Sequence, residues 1–221
     1  MNISINSSIK SKIPSFKIGC IIYKNITVGD SPQMLRGRLQ FFQELLFMDI
    51  NEKELSDFPG IKEWRTVFKL AGTDPSRYRH SAESLYRRIK KQNYLSSVNS
   101  AIDLNNFFSL QYQSPFGIYD SNQIDGDITF TLGTEEDTYF GLNERNNTMK
   151  DIIISQDRQG PFGSPYIDSN RTMVTSSTNR AIQFIYLRPS LSFNESEKLT
   201  SSVMNSFISI HGGEAHFKIY Q

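Results

Sequence analysis

The residues best suited to chemistry are a dense group of cations interleaved with tyrosines. Between positions 65 and 91 the chain carries eight Lys or Arg residues against two acids, with Tyr78 and Tyr86 among them. Guanidinium groups bind phosphates through paired hydrogen bonds, and tyrosine rings stack on bases. The pattern predicts contacts with an RNA end, and the RNA-binding candidates are Arg77, Arg79, Arg87 and Arg88. The alternative is a solvated helix end whose cations compensate the helix dipole.

This cationic group is a local feature of a nearly neutral chain. The formal net charge is +1, and no Lys or Arg occurs from position 92 to position 144. Bulk electrostatics therefore neither requires nor excludes a nucleic-acid partner, and any partner must be inferred from local patches.

Most familiar catalytic patterns are missing from the sequence. Its histidines, His80, His211 and His216, have no metal-ligand spacing, so no metal and no other cofactor is predicted. The glycine-containing segments 160–163 and 212–213 are predicted to be turns, because neither has the spacing of a phosphate-binding loop. The sequence argues against nucleotide hydrolysis.

The elements that must position these residues follow from hydrophobic periodicity. Helical spacing, prolines, caps and a glycine predict helices at 32 to about 57, 59–71, about 80–91, 99–112 and 195–210. Apolar runs and period-two alternation predict strands at 17–23, 128–132, 152–154, 181–187 and 216–220, with 26–28 paired to the first. The predicted fold class is α/β (α+β), with a mixed, mostly antiparallel sheet flanked by helices.

Length and polarity add expectations about organisation and location. A chain of 221 residues is predicted to form a single domain, with a flexible N-terminus at about 1–14 because that segment is polar and rich in Ser and Asn. Cys20 lies in an apolar run and is expected to be a buried thiol. No apolar run approaches the ~18 residues of a membrane-spanning helix, so a cytoplasmic protein without membrane contact is expected.

Several separated motifs resemble the B3/B4 domain of bacterial phenylalanyl-tRNA synthetase β chains, and its freestanding form most. In chain order they are DPSRYRHSAESLYRR at 74–88, NSAIDLNNFFSLQYQSPFGIYD at 99–120, IDGD at 124–127 and RTMVTSSTNRA at 171–181. The resemblance covers 64–187 and implies a B3/B4-like fold. It also implies a pocket for the aminoacylated acceptor end of a tRNA. The synthetase's other modules have no room here, so ligase activity is not implied.

The same resemblance suggests a set of pocket residues. In the synthetase this domain hydrolyses tyrosine wrongly joined to phenylalanine tRNA. Gly117 stands where the synthetase has a histidine, and Phe184 stands where it has a glutamate that recognises the tyrosine hydroxyl. No catalytic residue is therefore assigned, and tyrosine is not the expected substrate. The ligand-binding candidates are Ser81, Glu83, Asn106, Ser109, Gly117, Asp120, Thr178 and Phe184.

Local structure offers another explanation for several of these candidates. Ser81 and Glu83 have the types and spacing of helix-capping residues. Asn106 and Ser109 share a polar helix stripe that lines a cleft or faces water. Asp120 has the position of an aspartate that hydrogen-bonds a turn.

Three hypotheses about function remain open at the level of sequence. One is a freestanding esterase of mischarged aminoacyl-tRNA. The second is a module that binds an RNA end or an amino-acid-like ligand without turnover, and the third is a structural partner of a translation enzyme. The sequence names neither the tRNA, the amino acid nor the oligomeric state. A cleft that gathers Glu83, Asn106, Asp120 and Thr178 would support the predicted pocket.

Overall fold

A computed structural model describes residues 1–221 as six helices, ten strands and three short 3₁₀ turns. The helices are α1 (Ser7–Lys12), α2 (Gln33–Glu52), α3 (Pro59–Ala71), α4 (Ser81–Lys90), α5 (Ser100–Tyr112) and α6 (Phe193–His211). The strands are β1 (Ile3–Ile5), β2 (Ile18–Lys24), β3 (Phe116–Asp120), β4 (Ile128–Leu132), β5 (Thr138–Phe140), β6 (Asn146–Thr148), β7 (Ile153–Asp157), β8 (Gly160–Gly163), β9 (Arg180–Tyr186) and β10 (Glu214–Tyr220). The 3₁₀ turns are Leu55–Asp57, Ser121–Gln123 and Asn170–Thr172.

The strands form two four-stranded sheets and one two-stranded ribbon. The first sheet has the order β10-β2-β9-β3 and is antiparallel throughout, with β10 at one edge. The second has the order β1-β4-β7-β8, in which β1 and β4 are parallel. Strands β5 and β6 form the ribbon. The predicted class, α/β (α+β) with mostly antiparallel strands flanked by helices, is confirmed, but the strands form two main sheets where one was expected.

The first sheet lies between two apolar cores. Side chains alternate across β2. Ile21 and Tyr23 therefore join the first core, which lies beneath the helices, whereas Ile18 and Cys20 join the second core, which lies against the second sheet. Cys20 is buried as predicted, and burial raises the pKa of its thiol.

Local signals explain where the helices of interest begin and end. Pro59 occupies the first turn of α3, where its missing N–H costs nothing, and Gly72 ends the helix with φ 114° in the left-handed region. His80 precedes α4, and its Nδ1 accepts a hydrogen bond from the Glu83 backbone N–H at 3.3 Å. Asn99 caps α5 by accepting from the Ile102 N–H at 2.9 Å.

Four segments differ from the sequence-based expectations. Residues 26–28 form no strand, because β9 and β10 occupy both sides of β2. The segment 160–163 is strand β8 rather than a turn, although Gly160 keeps a positive φ of 113°. Residues 1–14 contain β1 and α1, because their isoleucines are buried in the second core. The helix expected to reach about 57 ends at Glu52, before a 3₁₀ turn.

Candidate functional site

A groove of about 510 Å³ lies between α3 and α4 and is lined mainly by cations. We call it the basic groove, and its cations are Lys62, Arg65, Lys69, Arg87, Lys90 and Lys91. The only acid in the lining is Glu54, an exposed side chain whose carboxylate lies 3.9 Å from the ammonium of Lys90. The groove therefore presents a strongly positive surface.

Helical geometry explains why these cations share one surface. Lys62, Arg65 and Lys69 recur at spacings of three and four on α3, which places them on one face. The other face of α3 is apolar and buried, with Ile61, Trp64, Val67 and Phe68 in the core. The cations of α4 lie in its last turn, where the negative end of the helix dipole stabilises positive charge.

A second depression adjoins the basic groove. It is lined by Arg79, Arg87, Arg88, Lys91 and Asn93, so Arg87 and Lys91 belong to both. Of the four RNA-binding candidates, three thus lie on one continuous cationic surface. The fourth, Arg77, lines neither depression.

The two tyrosines of the cationic segment differ in their accessibility. Tyr86 is buried, and its hydroxyl donates to the Leu110 carbonyl at 2.9 Å, so the expected stacking role for this ring is wrong. Tyr78 is half-buried and packs edge-on against Tyr166, with Arg77 5.2 Å from its ring centre. Only Tyr78 is accessible to a stacked base.

A buried carboxylate lies beneath the basic groove. Glu83 Oε1 accepts from Arg65 Nη1 at 3.1 Å and from Arg87 Nε at 2.9 Å, and Glu83 is fully buried. The expected capping role of its carboxylate is wrong, because these arginines occupy it. Burial lowers the pKa of the neighbouring His80 to about 3, so this ring is neutral at pH 7.

The ion pairs divide the cations of the surface into two kinds. Arg65 and Arg87 are held by Glu83, and Lys90 is near Glu54. The others, Lys62, Lys69, Arg79, Arg88 and Lys91, are exposed and pair with no acidic side chain. These five cations are available to an anionic ligand.

Two of the pocket candidates meet at the end of β3. Thr178 Oγ1 donates to Asp120 Oδ2 at 2.7 Å, and both side chains are buried. Asp120 Oδ1 also accepts from the Asn122 N–H at 2.9 Å, which closes the 3₁₀ turn after β3. The turn-bonding role that the sequence offered for Asp120 is thus realised.

The candidates on α4 and α5 lie in other surroundings. The Ser81 N–H donates to the Pro165 carbonyl at 2.8 Å. Ser109 Oγ donates to the Ser114 carbonyl at 2.7 Å. Asn106 is half-buried, whereas its neighbour Asn105 is buried and bonds the Phe116 carbonyl at 3.2 Å.

The predicted pocket residues do not form one connected cluster. Glu83, Asn106 and the Asp120–Thr178 pair are joined by no hydrogen bond or ion pair. Glu83 binds two arginines of the basic groove, and Asp120 closes the turn after β3. The structure therefore gives no direct support to a cleft that contains all four residues.

Gly117 and Phe184 face each other across β3 and β9 beside a partly buried hydroxyl–carboxyl pair. Tyr119 Oη donates to Asp168 Oδ1 at 2.7 Å, and burial raises the pKa of Asp168 to about 7. A Cβ at Gly117 would overlap the hydroxyl end of the Tyr119 ring. Phe184 is fully buried, with its ring centre 5.3 Å from that of Tyr119. Sequence reasoning missed the Tyr119–Asp168 pair, because 49 residues separate its members and no motif links them.

Comparison with known proteins identifies the family. The family model described as B3/4 domain matches residues 63–202, which include most of α3 and all of α4 and β9. The chain belongs to the B3/4 domain family. The uncharacterized protein YhzB of Bacillus subtilis (strain 168) is 33% identical over 213 residues and covers 96% of both chains. The resemblance inferred from the motifs is confirmed.

A solved structure shares the B3/4 fold. It is an N-terminal fragment of the phenylalanyl-tRNA synthetase beta-subunit from Pyrococcus horikoshii, with a TM-score of 0.50 and 12% sequence identity. The alignment covers 100% of this chain and 54% of that fragment, so the chain spans about half the length of the solved fragment. At this identity the similarity is one of fold.

Two further findings describe the B3/4 chain as a whole. None of its helices is both long enough and apolar enough to cross a lipid bilayer. No three His, Cys, Asp or Glu side chains are grouped in a way that could hold a metal ion.

We expect Gly117→Ala to destabilise this B3/4 chain by about 1–3 kcal/mol, because an added methyl group must displace the packed Tyr119 ring. Gly117→His, which would reintroduce the synthetase's side chain, should cost more for the same reason. The measurement is urea denaturation followed by circular dichroism. Gly29→Ala is the control, because no atom lies within 4 Å of its added Cβ. Equal midpoints for the Gly117→Ala and Gly29→Ala variants would show that the Tyr119 ring moves away freely.

Proposed function

We propose that this B3/4 protein binds tRNA, with the acceptor end lying against the basic groove. The observation that carries the proposal is the set of unpaired cations in and beside the groove, Lys62, Lys69, Arg79, Arg88 and Lys91. Such cations bind nucleic acid by releasing counterions from phosphates, so binding should be strongly salt-dependent. The test is filter binding of tRNA across a salt series with variants of the groove lysines.

The shape of the groove favours a polyanion over a single phosphate. Lys62 and Lys69 are seven residues apart on α3, which separates them by about 10 Å along the helix axis. Three cations of α4 and its C-terminal end line the opposite wall. Charges spread in this way match a run of backbone phosphates.

Two comparisons support tRNA as the nucleic acid. The chain is a B3/4 domain, and its fold is shared with a fragment of a phenylalanyl-tRNA synthetase beta-subunit. Five of the six groove cations lie within the residues that the family model matches, whereas Lys62 lies one residue before them. That the bound part of the tRNA is its acceptor end is inferred from the resemblance of the central motifs to the synthetase domain.

The interior favours binding without turnover. Where the synthetase's histidine would lie, the Tyr119 ring covers Gly117, and Phe184 is buried. His80 is buried and neutral, and His211 is buried and lies within hydrogen-bonding distance of Ser100 Oγ and the Phe207 carbonyl. None of these groups is placed as an accessible general base.

One observation favours the second candidate, hydrolysis of mischarged aminoacyl-tRNA. Asp168, with a pKa raised to about 7, accepts a hydrogen bond from Tyr119 Oη, and the buried hydroxyls of Ser155 and Tyr186 lie close to the same group. An ester could react there if the Tyr119 ring moved aside, since a carboxyl group with this pKa can exchange protons near neutral pH.

We expect the native chain to release no amino acid from a panel of mischarged tRNAs above the uncatalysed rate, because the Tyr119 ring covers the position of the missing histidine. The panel includes tyrosyl-tRNA and smaller or apolar aminoacyl groups, and the release of labelled amino acid is measured. The control is the Asp168→Asn variant under the same conditions. Hydrolysis by the native chain that disappears in Asp168→Asn would replace the binding proposal with the deacylase.

The single-domain organisation of residues 1–221 stays a prediction, and one observation supports it. Strand β2 and helix α2 precede the residues that the family model matches. Yet β2 is an inner strand of the first sheet, and α2 covers the first core. The matched region therefore depends on the preceding chain for its packing.

A further inference from the structure

Three helices enclose an apolar groove of about 190 Å³, which we call the α5 groove. Helix α5 forms its floor with the buried side chains of Leu104, Phe107 and Phe108. Helices α2 and α6 line its two sides. Spaces between packed helices are common sites for small molecules, which bury an apolar part and orient themselves through a few polar groups. The α5 groove shares no residue with the basic groove or the depression beside it.

Small side chains on α6 give the α5 groove its width. Ser202, Ser206 and Ser209 recur at spacings of four and three, so they share one face of the helix. Ser206 Oγ donates to the Ser202 carbonyl at 2.8 Å, and Ser209 Oγ donates to the Ser206 carbonyl at 2.7 Å. The hydrogens of these two hydroxyls are therefore used within the helix. This side of the groove provides space without offering strong donors.

Aromatic rings make the α5 groove suitable for a flat apolar group. Phe108 and Tyr112 line it, and with Phe116 they form a stack whose ring centres lie 6.1 to 6.2 Å apart. Phe116 is buried, whereas Tyr112 is only half-buried. A further ring can pack against such a stack in the offset or edge-on geometry that aromatic pairs prefer. The volume suits one ring with a short chain, since a cavity of about 150 Å³ accommodates benzene.

Arg38 is the only charged residue that lines the α5 groove. Its guanidinium carbon lies 5.0 Å from the centre of the Phe107 ring, and it pairs with no acidic side chain. The attraction between a cation and an aromatic face holds the guanidinium at the groove. Its N–H donors can then bind a carboxylate through paired hydrogen bonds. The groove thus combines an aromatic floor with one group that binds anions.

We propose that the α5 groove binds an aryl carboxylate, with its ring against Phe108 and Tyr112 and its carboxylate on Arg38. The lining contains no Asp or Glu, so an ammonium group beside the carboxylate would lose water without gaining a partner. The charges of the groove therefore select a carboxylate that has no α-amino group. Because the two grooves share no side chain, this proposal does not depend on tRNA binding.

The first experiment is a ligand-observed NMR titration of the native chain with 3-phenylpropanoate. We expect a Kd on the order of 0.1–1 mM, as a ligand of this size can supply only a modest binding free energy. 3-Phenylpropan-1-ol lacks the charge and L-phenylalanine adds an ammonium group, so each should bind about 10-fold more weakly. Octanoate, which has the charge but no ring, should also bind more weakly.

Substitutions assign the binding to the α5 groove. Arg38→Gln should weaken the binding of 3-phenylpropanoate by about 10-fold and leave that of 3-phenylpropan-1-ol unchanged. Arg36→Gln is the matched control, because Arg36 is exposed on the same helix but does not line the groove. Ser206→Leu fills the groove and should abolish the binding of both ligands, while circular dichroism verifies that the helices remain.

Three results would each overturn the proposal. The first is no binding of 3-phenylpropanoate by the native chain at about 10 mM ligand. The second is equal binding of 3-phenylpropanoate by Arg38→Gln and Arg36→Gln, or binding that a folded Ser206→Leu chain retains. The third is binding of L-phenylalanine or octanoate as tight as that of 3-phenylpropanoate, which would contradict the chemistry assigned to the ligand.

Discussion

Replacing Lys62, Lys69 and Lys91 together by alanine is expected to weaken tRNA binding by about 100-fold at 0.15 M salt, with a log–log salt slope shallower by about 2–3. Each lost phosphate contact lowers that slope by about 0.7–0.9. These lysines are exposed and pair with no acid, so their removal should change the free energy of unfolding by less than about 0.5 kcal/mol each. Filter binding between low and high salt measures both the affinity and the slope.

The matched control removes the same charge from another part of the surface. Lys24, Arg180 and Lys198 lie outside the basic groove and its neighbouring depression, and they also pair with no acid. Their triple alanine variant should retain at least about a third of the native affinity, since only long-range attraction changes. If both triple variants lose affinity and slope equally, tRNA would respond to net charge and the groove would not be its site.

Arg65 and Arg87 of the groove are tested by a stability measurement, because they neutralise the buried carboxylate of Glu83. We expect the double variant Arg65→Ala, Arg87→Ala to lose about 3–5 kcal/mol of unfolding free energy, since it leaves a fully buried carboxylate without a cation. Urea denaturation measures the loss. The control is Arg79→Ala, Arg88→Ala, which removes two cations that hold no acid.

A third substitution separates the charge from the packing. Replacing Glu83 by methionine in the doubly substituted chain should recover most of the lost stability, because an apolar side chain needs no counterion. The Arg65 and Arg87 methylenes are lost in both chains, so the comparison isolates the carboxylate. Failure of methionine to recover stability would indicate that the arginines act by packing.

Local rules were sufficient to predict most of the helices and strands. Pro59 and Gly72 bound α3, and Asn99 begins α5, because caps and breakers act within one turn. The cationic surface was predicted in part: Arg79, Arg87 and Arg88 lie on it, whereas Arg77 does not, and Lys62 lies outside the cationic group at 65–91. The arrangement of these elements in space was predicted only from the family motifs, because hydrophobic periodicity does not show how helices and strands pack together.

The contacts that define the candidate site were beyond sequence reasoning because they join distant residues. From the sequence, Glu83 is either a pocket residue or a helix cap, because its three-residue spacing is a local signal, whereas its partner Arg65 is 18 residues away. The family resemblance also suggested Asn106 as a pocket residue, but the side-chain amide that is buried in the structure is that of Asn105. One residue turns a helical side chain by about 100°, so orientation depends on how α5 packs against the sheet.

Strand β10 has a free edge, and unpaired backbone groups on such an edge invite the addition of another strand and hence aggregation. Its outward positions Glu214, His216 and Lys218 are exposed and alternate with less exposed neighbours. An incoming strand would have to desolvate two charged groups of opposite sign along this edge. The chain is therefore protected against fibre-like stacking through this edge.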